Sequence, residues 1–214
     1  MPEVTKNIII LNALVFLAQM TFPPEWTYYL ALHPVNNDFF QPYQILSHMF
    51  SHGDFGHVFF NMFAVFMFGS TIENVFGPKR YLIFYLLTGL GAAILHSIAL
   101  QIEVGYMIQN SNPSNAAVIK DLFYHSHRFA ALGASGAVFG LLAAFGMLYP
   151  NRVIMLLFPP IPMKAKYFVI IFGAIELYLG LQGKSTGVAH FAHVGGALFG
   201  ALLILWWRYK GERF

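Results

Sequence analysis

Four side chains in this 214-residue chain could together perform nucleophilic chemistry: His57, Asn61, Ser135 and His193. A serine hydroxyl becomes a nucleophile when an imidazole within hydrogen-bond reach takes its proton, and the same imidazole can later protonate a leaving amine. His57 and Asn61 lie four residues apart, so on a helix they share one face. Both can donate hydrogen bonds, which suits a developing oxyanion. Ser135 stands in Gly133-Ala134-Ser135-Gly136, followed by Gly140. His193 opens a stripe with Gly196 and Gly200. Two glycine-lined helix faces permit the close backbone approach that a Ser–His contact requires. A serine in the first turn of a helix also gains free backbone N–H groups and the positive end of the helix dipole.

The elements that carry these residues are apolar. The chain is 57% hydrophobic and 10% charged, against about a quarter charged in soluble domains. Too little polar surface remains to cover a soluble globule, so the chain reads as an integral membrane protein. Residues 7–24, 55–72, 81–102, 129–151 and 185–207 contain no Asp, Glu, Lys or Arg, and 167–183 is interrupted only by Glu176. A span needs about 20 such residues. The predicted architecture is all-α with six transmembrane helices, near 6–22, 55–75, 80–101, 134–149, 166–182 and 188–207, in a single membrane domain over 1–214. No small-x-small cleavage site follows the first segment, which is therefore read as a span rather than a signal peptide. Six spans put Lys6, Lys79, Arg80, Arg152, Lys164, Lys166, Arg208, Lys210 and Arg213 on one side, leaving Lys120, Arg128 and Lys184 on the other. Nine against three predicts both termini in the cytoplasm. Helices two, four and six then run inward from the outer face. At 1.5 Å per residue the four polar groups share a depth on the order of 10 Å.

These residues resemble the motifs of the rhomboid intramembrane serine proteases. Gly133-Ala134-Ser135-Gly136 is similar to GxSG, His57 to Asn61 to HxxxN, and Ala192-His193 through Gly196 and Gly200 to AHxxGxxxG. Glu73, Gly77 and Tyr81 resemble a structural signature of the same family. The resemblance covers essentially the whole chain and implies a minimal six-helix core. It implies Ser135 as nucleophile, His193 as its base, and His57, Asn61 and the Ser135 N–H as the oxyanion hole. Phe139 would pack on the catalytic imidazole, with Gly133, Gly136 and Gly196 supporting the pair. No carboxylate is required in that scheme. The resemblance further implies cleavage of single-span membrane proteins near the outer face. One departure is in the first loop, where many members carry a Trp-Arg pair. Here Trp26 is present, but residues 23–54 hold no arginine.

Other signals point to lesser roles. The absence of cysteine excludes disulfides and thiolate chemistry, and the scattered basic residues form no nucleic-acid stripe. His48, His52 and His57 are spaced for a metal but lack a carboxylate or Cys nearby, so neither metal nor cofactor is expected. His48 and His52 are read as hydrogen-bonding within the first loop, and His125 and His127 as solvent-exposed loop residues. His190 reads as an interfacial histidine and Glu176 as a hydrogen-bonded packing residue. The Asn/Ser-rich stretch 109–115 reads as flexible loop, and 183–187 as a mobile cap over the site. A non-catalytic relative that binds membrane segments would be expected to lose the serine or histidine. A transporter would show broken helices or a polar path through the membrane. The expected partners are the bilayer and single-span substrates, and the expected location is a bacterial plasma membrane.

Overall fold

In a computed structural model, residues 1–155, 160–182 and 188–212 are described. They form a mostly helical bundle. The first long helix, α1, spans Glu3–Thr21 and is followed by two short helices in the first loop, α2 (Glu25–Leu30) and α3 (Gln44–Ser47). The next long element joins α4 (Phe55–Ala64) through a π-helical turn at Val65–Gly69 to α5 (Ser70–Phe76). Then come α6 (Pro78–Gln109), α7 (Pro113–His125), α8 (Ser135–Leu148), α9 (Ala165–Leu181) and α10 (His190–Tyr209). Among the described residues, four helices are long and apolar enough to cross a membrane: Glu3–Thr21, Phe55–Phe76, Pro78–Gln109 and His190–Tyr209; Ser135–Leu148 is a shorter apolar helix. Their outer faces carry exposed Leu14, Leu17, Ile94, Ile98, Leu202 and Leu205, the pattern of a surface in contact with lipid rather than water.

The α8 helix is the centre of the bundle. Nearly every residue from Gly136 to Gly146 is buried, because α4, α6, α9 and α10 all pack on it. The core around it includes Tyr81, Tyr85, Leu141 and Ile204. A small antiparallel ribbon, β1 (Val153–Met155) with β2 (Pro162–Lys164), lies between α8 and α9.

Local chemistry explains the element ends. Asp54 caps α4 by accepting from the His57 N–H at 2.8 Å. Gly77 adopts φ +75° before Pro78, the first residue of α6, a combination of left-handed turn and N-terminal proline that ends one helix and starts the next. The stretch read as flexible is not a loop throughout. Here α6 continues to Gln109, and α7 begins at Pro113 with Asn112 as its cap, accepting from Asn115 N–H at 2.9 Å. Asn-Pro is a helix-start signal as well as a turn signal.

Glu73 ties α5 to the beginning of α1. Its carboxylate accepts from Val4 N–H at 2.9 Å, Thr5 N–H at 2.7 Å and the Thr5 hydroxyl at 2.6 Å. The two amides are orphan donors of a helix N-terminus, and a buried carboxylate meets both along with the neighbouring hydroxyl. Glu73→Ala leaves all three unsatisfied, and we expect a loss of about 3 kcal/mol, measured as a lowered denaturation midpoint in detergent micelles.

Candidate active site

The first loop builds the floor beneath the nucleophile turn. Leu32 pairs with Ala131 in an isolated bridge, and the His48 carbonyl accepts from Gly133 N–H at 2.8 Å. The Nδ1 of His48 is 2.8 Å from the Gln44 carbonyl, as a loop-internal bond requires. His52 Nε2 accepts from Ala134 N–H at 3.5 Å. Gln19 of α1 reaches in to Thr27, Ser51 and the His52 carbonyl at 3.0–3.1 Å. This network anchors a loop that lacks the Trp-Arg pair. Trp26 itself stacks on Phe22, with centroids 4.8 Å apart. His127, expected in solvent, instead stacks on Tyr28 at 4.5 Å and meets His33 Nε2 at 2.8 Å. His125 does lie at the exposed edge, 2.7 Å from Asp38.

Burial, reinforced by the nearby His57, pushes the His52 imidazole down to about 4; burial also lowers His48. A folded value below the unfolded one near 6.5 means that unfolded chains bind more protons between those limits. Their stabilising contribution is complete above pH 6.5 and declines as pH falls toward 4. We expect the midpoint of thermal unfolding to fall over that window, and to fall less steeply in His52→Gln.

On this floor Ser135 begins α8. Its Oγ is 2.8 Å from His193 Nε2 on α10. Glycines bring the two helices together. A Cβ at Gly196 would run into the Gly136 carbonyl, and one at Gly200 would lie 2.8 Å from that of Gly140. Phe139, one turn below Ser135, lies flat against the His193 ring, with centroids 4.3 Å apart and planes 6° from parallel. The imidazole is thus held in one plane with its Nε2 toward the serine.

His57 stands across the nucleophile turn. Gly53 N–H points to its Nδ1 at 3.4 Å, so the neutral ring carries its proton on Nε2. That atom is the neighbour a Cβ on Gly133 would meet, at 2.6 Å, with Ser135 Oγ 3.8 Å from the same point. Gly133 also has φ +119°, so both backbone and space demand glycine there. Asn61 is less ready, since its side-chain amide donates to the His57 carbonyl at 3.0 Å. A small cavity of about 20 Å³ touches Ser135, His48 and His96, enough room for one water-sized molecule.

Three residues stand at the site that the sequence alone does not place there: Glu176, His190 and His96. Glu176 was assigned to packing, yet its Oε2 lies 2.6 Å from His190 Nδ1 and 2.9 Å from His193 Nδ1. The second contact is bent and falls short of a full hydrogen bond. His190 is correspondingly buried rather than interfacial. The ligand atoms of these three residues lie within 4.8 Å of one another. His96 on α6, which lines the cavity beside Ser135, was omitted. A polar residue within an apolar run was signal enough to find it. The cap expected at 183–187 lies outside the described residues.

A family profile described as "Rhomboid domain" matches residues 40–210. The chain belongs to the rhomboid family. It is 29% identical to "RHOMBOID-like protein 12, mitochondrial" of Arabidopsis thaliana over 215 aligned positions, 99% of this chain and 60% of that one. It is 32% identical to "Rhomboid protease AarA" of Providencia stuartii over 163 positions, 72% of this chain and 52% of that one. "Rhomboid-like protein 11, chloroplastic" of Arabidopsis thaliana is 29% identical over 208 positions, 92% and 62% of the two. The chain therefore spans between half and two thirds of the length of these curated rhomboid relatives.

Proposed function

We propose that the chain is an intramembrane serine endopeptidase that cleaves single-span membrane proteins near the outer face. The observation that carries this reading is the 2.8 Å contact between Ser135 Oγ and His193 Nε2. It joins two helices whose glycine faces allow little separation. Ser135 Oγ attacks the scissile carbonyl while His193 Nε2 takes its proton. The oxyanion is met by Ser135 N–H at the start of α8 and by His57 Nε2–H, with Asn61 turning from the His57 carbonyl to join them. The imidazolium returns its proton to the departing amine, leaving an acyl-enzyme. Water, activated by the same imidazole, releases the product. The cavity beside Ser135 has room for that water.

Membrane placement belongs to the same proposal. Six spans, with both termini cytoplasmic in one domain over 1–214, add α8 and α9 to the four long helices. At 1.5 Å per residue α8 is about 21 Å long, shorter than a hydrocarbon core of about 30 Å. With its lower end at the inner boundary, Ser135 sits about 9 Å inside the outer one. A short nucleophile helix preceded by a loop supported from below therefore suits hydrolysis within a membrane. Irregular backbone at that depth is tolerated where protein covers it. The relatives' names span bacteria, mitochondria and chloroplasts, so the similarity does not favour a bacterial plasma membrane over the others.

A fluorophosphonate probe tests the nucleophile. Wild type in micelles acquires one adduct, mapped by mass spectrometry to Ser135, and His193→Ala acquires none. An adduct at another serine, or equal labelling of both proteins, overturns the assignment.

A further inference from the structure

Resting on that reading, we infer that Glu176 is a positioning residue for His193, so that Ser135 and His193 work with Glu176 behind them, itself clasped by His190. The family scheme has no carboxylate at this place. Here Glu176 faces the Nδ1 of His193, the ring atom opposite the one that meets Ser135. A carboxylate at Nδ1 selects the tautomer with its proton there, leaving the Nε2 lone pair to accept from the serine. It also lies next to the positive charge that forms on the ring in the transition state. In a site this dry, an opposite charge at contact distance outweighs what it does in water.

The geometry favours this role over packing. The side chains of Glu176, His190 and His193 are 14%, 8% and 12% exposed. A carboxylate buried between two imidazoles in an apolar bundle is costly unless it is used. His190 Nδ1 holds Oε2 at 2.6 Å, which keeps the carboxylate from swinging toward lipid. Phe139 fixes the plane of the His193 ring but not which nitrogen bears the proton, and Glu176 supplies that choice. The Nδ1–Oε2 contact is bent at rest. Catalytic hydrogen bonds are often poorly aligned in free enzymes and tighten with substrate. The cluster also resembles a metal triad in composition. Its 2.6 and 2.9 Å separations are hydrogen-bond distances, shorter than the about 3.3 Å between ligands around a tetrahedral zinc.

The test compares wild type, Glu176→Gln, Glu176→Asp and His190→Ala in liposomes with a cleavable single-span substrate. Readouts are kcat, KM, and the rate and end point of fluorophosphonate labelling. Glu176→Gln is expected to lower kcat and labelling rate by up to about 10⁴-fold, with KM unchanged and the end point still one adduct per chain. Glu176→Asp recovers part of the loss because it keeps the charge, and His190→Ala loses less than Glu176→Gln. A Glu176→Gln rate within twofold of wild type overturns the inference while leaving the protease reading intact. So does a loss that appears as a lowered labelling end point, which marks a structural role. A wild type that neither cleaves nor labels overturns both.

Discussion

Ser135→Ala and His193→Ala are each expected to lower kcat by at least about 10⁴-fold, and the double variant is expected to be no slower than either single one. Residues that act as one unit are grossly non-additive, because removing either partner removes the step. The reason is visible in the contact itself. Ser135 Oγ and His193 Nε2 are 2.8 Å apart, so the hydroxyl has its base already in place. Without His193, no other imidazole described here has its ring nitrogen at hydrogen-bond distance from that oxygen. The neutral His57 ring carries its proton on Nε2, so the ring atom nearest the Gly133 turn donates and does not act as a base. The cycle is measured as kcat and KM for a fluorogenic single-span substrate in micelles, with KM expected to change little. Losses that multiply in the double variant would mean that the two side chains act separately.

Gly196→Ala carries the second large effect. The added methyl would occupy the position of the Gly136 carbonyl, a backbone atom that cannot rotate away. Helices α8 and α10 must then separate, and Ser135 and His193 are carried apart with them. A displacement of about 1 Å costs catalysis about 10²-fold, and we expect at least that loss in kcat together with a lower denaturation midpoint. Gly200→Ala meets the Gly140 carbonyl at 2.8 Å, but more than a turn below the histidine. It should lower stability and spare more of the activity. Gly173→Ala on α9 meets nothing within 4 Å and serves as the neutral control. Equal activity in Gly196→Ala and Gly173→Ala would remove the glycine contact from the explanation.

The residues most legible in the sequence were those whose reason is local. Gly136, Gly140, Gly196 and Gly200 announce a close helix pair by spacing alone, and the serine and histidine on those faces follow. The charge-free runs marked the long helices, except that α6 runs on past Glu103 to Gln109. Glu176 was visible as a charge inside an apolar run, but its partners were not, since His190 and His193 lie 14 and 17 residues further along the chain on a separate helix. The chemistry of His52 and His127 was hidden for a similar reason. Their partners, Ala134 and Tyr28, are about 80 and 100 residues away, and nothing in local periodicity pairs these two stretches of chain. Helix α7 was missed because Asn112-Pro113 reads equally as the end of order and as its beginning.

The most direct measurement reconstitutes wild type and Ser135→Ala in liposomes with single-span model substrates and maps the products by mass spectrometry. Intramembrane hydrolysis at Ser135 predicts cleavage by wild type alone, at a peptide bond within the outer third of the substrate span. Identical products from both proteins, or cuts confined to the water-exposed flanks, would contradict it.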